Sequence, residues 1–91
     1  MHESALLRDL RRKIEELTEA EKVTRVKRVR VWVGALSPIS EAHLREEWPE
    51  VVEGTRAEGS KLEVDVSTDL TSPRADRVVL TSLDVEGPGA P

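Results

Sequence analysis

Apolar residues recur three and four apart at Leu7, Leu10, Ile14 and Leu17, with Leu6 beside them. Residues 3–21 are therefore expected to form a helix with one stripe against a core. Around that stripe Asp9 and Lys13, Arg11 and Glu15, and Arg12 and Glu16 stand four apart. At this spacing opposite charges support a solvated helix by about 0.3 kcal/mol per pair. From Arg25 to Val33 the period changes to two: Val29, Val31 and Val33 point one way and Arg28, Arg30 and Trp32 the other, the mark of a half-buried strand. Gly34 breaks it, and Leu36 to Ser40 form a loop in which Ser40 is a candidate N-cap. In the second helix Leu44, Trp48, Val51 and Val52 make the stripe, and Gly54 ends it. Pro49 lies inside this segment and removes a hydrogen bond, a cost of about 3 kcal/mol if unrelieved, so a kink or restart is expected near Trp48. A turn at residues 57–60 leads to a second alternating strand from Leu62 to Val66. A loop from Ser67 to Asp76 follows, then a last strand from Val78 to Glu86. Val78 and Leu80 are out of phase with Leu83 and Val85, which calls for a β-bulge near Thr81 and Ser82 or a change of face.

The order α-β-α-β-β predicts an α+β two-layer sandwich, a three-stranded mixed sheet with both helices on one face. Residues 1–86 then form a single domain and residues 87–91 a disordered tail. The last two strands, close in sequence, are expected to form an antiparallel hairpin, whereas the first two, joined through a helix, run parallel if adjacent. The covered face consists of Val29, Val31, Val33, Leu62, Val64 and Val66. On the open face Arg28 and Arg30 lie beside Glu63, Asp65, Asp84 and Glu86, and cross-strand ion pairs explain these arginines better than a nucleic-acid patch does.

Composition narrows the function classes. Of 91 residues 37% are apolar, with no Phe, no Tyr and two Trp, so a single core is built from aliphatic side chains worth about 1.5–3 kcal/mol each when fully buried. The net charge of −4 hides a neutral front half and an acidic back half, which argues against general nucleic-acid binding. Without cysteine there is no disulfide framework, no thiolate zinc site and no cysteine nucleophile. His2 and His43 are the only histidines and no nucleophile has an identifiable partnered base, so no enzyme is predicted. The absence of an apolar run of membrane length and of a secretory signal pattern predicts a soluble, cytoplasmic protein with no membrane partner.

The candidate chemistry lies at the start, in Met1, His2 and Glu3. A terminal amine and the His2 amide nitrogen close a five-membered chelate ring, and that amide and the near imidazole nitrogen close a six-membered one. Three nitrogens in a plane with a fourth place open suit Ni(II) or Cu(II) better than tetrahedral Zn(II). The chelate requires an unblocked Met1, which the bulk of His2 is expected to protect from removal. His43 could supply the fourth ligand only if the second helix brings it near Met1, and it reads more simply as a solvent-facing helix residue.

These residues also carry a family resemblance. Met1-His2-Glu3 opening a helix, the strand ending in Val33, Gly34, Ala35, Leu36 and Ser37, then Glu53-Gly54-Thr55, Ala57-Glu58-Gly59 and a strand from Leu62 together resemble the HypA/HybF family of nickel-insertion accessory proteins for hydrogenase maturation. The resemblance implies a metallochaperone that holds nickel transiently through its terminal amine and His2. Its implied partners are a maturation GTPase and the large subunit of a nickel enzyme, a [NiFe]-hydrogenase. Family members carry a zinc module with paired Cys-x-x-Cys motifs between the second and third strands. Here the cysteine-free loop Ser67 to Asp76 stands there, so no zinc is expected. The alternative function is a non-delivering interaction module or stable subunit of a hydrogenase-related assembly, with Trp32 as an interface anchor.

Overall fold

In the computed structural model, which describes residues 3–87, helix α1 (Glu3–Ala20) leads into strand β1 (Arg25–Val33), helix α2 (Glu41–Val52), strand β2 (Lys61–Val66) and strand β3 (Val78–Glu86). The sheet order is β2-β1-β3, with β1 parallel to β2 and antiparallel to β3. The α+β, two-layer architecture is as the hydropathy pattern predicts, and the 3.6-to-2 switch in period marks each boundary. The bulge is also as expected. Thr81 is the extra residue between the pairs Arg30↔Ser82 and Val31↔Leu80, and its hydroxyl donates to the Arg30 carbonyl at 3.1 Å. A second irregularity falls at Lys27, between Val26↔Val85 and Arg28↔Asp84. Each extra residue resets the alternation, so Val26 joins Val29, Val31 and Val33 in the core, and Leu83 and Val85 pack on the same cluster as Leu80 and Val78.

The expected hairpin does not form: β3 pairs with β1, on the side opposite β2. Strand β1 is nine residues long and buries four valines, so flanking it on both edges satisfies its backbone along its length. The segment between β2 and β3 passes across the end of β1 to do this. Ser67 N donates to Val33 O at 2.9 Å, Gly34 N to Arg77 O at 2.8 Å and Leu36 N to Ala75 O at 2.7 Å. A Cβ on Gly34 would overlap the Ala75 carbonyl, so glycine permits this crossing.

Three further expectations are corrected. Leu17 is 47% exposed and Thr18, at 2%, takes its place in the core. The buried seam continues from Leu10 and Ile14 in steps of four, and the Thr18 hydroxyl is satisfied by the Ile14 carbonyl at 2.8 Å. Val66 is 52% exposed, because it stands at the rim of an open groove beyond the cover of α2. Helix α2 runs without a restart through Pro49, which lies on its exposed side, where the Arg45 carbonyl deprived of a partner can be met by water. Its buried residues, Leu44, Trp48, Val51 and Val52, fix the helix on both sides of the proline.

On the open face Arg28 pairs with Glu63 at 3.2 Å and Asp84 at 3.6 Å, and Arg30 with Glu63 at 2.9 Å. Glu86 pairs with Lys27 instead. Trp32 is half-buried on this face, between Asp65 and Val79 in register. Residues 88–91 of the predicted tail lie outside the described residues.

Candidate metal centre

Helices α1 and α2 lie side by side, and the first turns of α1 meet the middle of α2. Ser4, Leu7, Arg8 and Arg11 share a cleft of about 270 Å³ with Glu47, Glu50 and Val51. Arg11 fixes the relative position of the helices, donating through Nη1 to the Val51 carbonyl at 3.1 Å and the Glu50 carbonyl at 3.5 Å. These carbonyls belong to the last turn of α2, which carries no basic residue of its own, so a cation from the neighbouring helix sits at the negative end of its dipole. Further along, Glu19 pairs with Arg56 at 3.0 Å. Position 11 thus faces 50–51 and position 19 faces 56, so the two helices run in the same direction.

The other end of α2 is set by local chemistry. Ser40 is extended (φ −85°, ψ 164°) and its hydroxyl accepts the His43 amide at 3.1 Å, the predicted N-cap. Ile39, buried at 1%, anchors the turn just before it. Arg45 holds the opposite side of the helix, pairing with Glu41 at 2.9 Å and donating through Nη1 to the Leu62 carbonyl at 2.9 Å. With Arg45 directed to β2, the 43-47-50 side of α2 is left toward α1. There His43 Nε2 stands 3.6 Å from Glu47 Oε1, one turn apart, with side chains 39% and 33% exposed.

Of the candidate ligands, Met1 and His2 lie outside the described residues, and Glu3 is the first residue of α1. Among the described residues no group of three or more His, Asp or Glu side chains is assembled that could hold a metal ion. The described part therefore offers only pairs of such groups, of which His43–Glu47 stands on the α2 face nearest the start of α1. The importance of that face was not legible in the sequence: His43 and Glu47 have the spacing of an ordinary surface pair. Arg11 was assigned only to its ion pair with Glu15, which does exist at 3.1 Å. No helix among the described residues is long and apolar enough to cross a membrane.

Comparison with known proteins supplies the chemical context. Residues 1–71 match the family described as hydrogenase/urease nickel incorporation, metallochaperone, hypA. Over 64 residues the chain is 39% identical to the hydrogenase maturation factor HypA of Azorhizobium caulinodans, a match covering 70% of this chain and 57% of that protein. The chain thus spans less than two thirds of the curated relative's length.

Proposed function

The chain belongs to the HypA family of hydrogenase and urease nickel-incorporation metallochaperones, and from that premise we propose that it takes up Ni(II) as cargo at its amino terminus and passes it to a nickel enzyme. The observation that carries the reading is that the family match begins at Met1 and includes Met1, His2 and Glu3. The donors are the Met1 amine, the His2 amide nitrogen and the His2 imidazole. Glu3 joins this chelate to the first turn of α1, and the Ser4 cleft keeps that turn against α2, so a metal held here lies beside a folded surface. All three nitrogens must be unprotonated to coordinate, so affinity falls as pH drops below neutral.

The transfer partners are a maturation GTPase and the large subunit of the client, a hydrogenase in the first instance. The work is binding and handover without catalysis, in the cytoplasm. Zinc has no part in it, because thiolate ligands are lacking. The alternative, an interaction module that does not deliver metal, is favoured by one feature, the half-buried Trp32 on the open sheet face.

Nickel titration of protein with a native start tests the reading. One-to-one binding is expected, and it should be lost on acetylating the amine, on His2→Ala and on adding residues ahead of Met1. Extension is the most discriminating change, since it leaves His2 in place and removes only the terminal amine. Equal affinity and an unchanged spectrum in the extended protein would refute the terminal chelate.

A further inference from the structure

A terminal chelate of three nitrogens leaves one place in the plane of a square-planar Ni(II), and the packing of the two helices indicates what fills it. Ser4 shares its cleft with Glu47 and Glu50. The helices run in the same direction, with Arg11 at the Glu50 and Val51 carbonyls. Moving from Glu47 toward the start of α2 by one turn, about 5.4 Å, reaches His43. The two residues ahead of Glu3 have a span of about 7 Å in extended backbone, enough to reach the level of His43. The Ser40 cap makes the backbone at His43 part of a closed helical turn, so the imidazole is carried on a rigid element.

We infer that His43 supplies the fourth nitrogen to the nickel and that Glu47 positions its ring, an inference that rests on the terminal chelate proposed above. Glu47 stands 3.6 Å from His43 Nε2. A small rotation brings the two into hydrogen-bonding distance, and the carboxylate then accepts Nε2–H and leaves Nδ1 to the metal. This is the usual outer-shell arrangement of a metal-bound histidine. It ties the cargo to α2 as well as to the chain start, so release requires the terminus and α2 to separate or a partner to replace the imidazole.

The test uses the full chain with a native start, titrated with Ni(II) by calorimetry and visible absorption, with X-ray absorption to count imidazole ligands. Two imidazoles per nickel are expected. His43→Ala should lower affinity by more than the roughly 10-fold expected for Glu47→Gln, and it should shift the absorption band, whereas Glu47→Gln should keep it. Both side chains are partly exposed, so thermal unfolding of the metal-free variants should match the parent. His43→Gln provides a second variant that retains helix-compatible bulk. One imidazole per nickel, or native affinity and spectrum in both His43 variants while His2→Ala loses binding, would overturn the inference and leave the terminal chelate standing. Undiminished binding by His2→Ala would overturn the chelate and this inference with it.

Discussion

At the scale of single residues, much of the behaviour follows from what each side chain or its absence permits. Gly34 sits where the connection from β2 to β3 crosses the end of β1, and a methyl group there would meet the Ala75 carbonyl. Because the obstacle is backbone, it cannot be relieved by a rotamer change. Gly34→Ala is expected to cost about 1–3 kcal/mol, read as a lower denaturant midpoint, and to weaken amide protection at Leu36, whose bond goes to the same carbonyl. Arg11 acts differently. Its exposed pair with Glu15 contributes little, but its bonds to the last turn of α2 join the helices. Arg11→Met keeps the aliphatic stem and removes those bonds, so stability should fall by about 1 kcal/mol, while Glu15→Gln should barely change it. Equal effects from the two substitutions would show that the surface pair, not the cap, carries Arg11's contribution.

Helix α2 shows how an element can override the preference of one of its residues. Pro49 removes the amide that would bond the Arg45 carbonyl, yet the helix is continuous from Glu41 to Val52. Four buried side chains on both sides of the proline press the segment onto the sheet, and their burial outweighs the lost bond. Pro49→Ala should restore that bond and raise stability by about 1–3 kcal/mol, measured by urea unfolding. Unchanged stability would mean that the helix relieves the proline by bending. Strands β1 and β3 show the opposite relation, in which sequence phase dictates shape. Each carries one slip in its apolar alternation, and each slip is met by an extra residue, Lys27 or Thr81, that returns the next side chain to the core.

For the molecule as a whole, the aliphatic core, including Ile14, Leu44, Val29 and Val31, is closed by the two helices and the sheet. No part of it depends on a metal. A chelator should therefore leave the melting temperature of the metal-free protein unchanged, whereas Ni(II) should raise it by mass action. Unfolding on chelation would show that a structural ion is present. The same scale separates delivery from adaptor function. Trp32→Ala lies far along the sequence from the chelate and on the other layer, so it should leave nickel affinity intact. If it releases a partner whose complex survives chelation, the open sheet face is the docking surface and the adaptor reading gains.

The alternation of valines and arginines in β1, the stripes of α1 and α2, the Ser40 cap, the bulge at Thr81 and the opening Met1-His2-Glu3 motif were all legible in the amino-acid sequence. They depend on local period, local turn chemistry and residue type. Strand order was not, because β3 could extend β2 or return to β1, and the choice rests on how the segment from Ser67 to Arg77 passes over Gly34. Nor could periodicity distinguish Leu17 from Thr18 at the seam of α1, since neighbouring positions differ by 100° of helix rotation and the angle of packing selects between them. His43 and Glu47 gained their place beside the start of α1 in the same way. Their spacing is a property of one helix, but the level at which two helices meet is set by side chains such as Arg11 reaching across the interface.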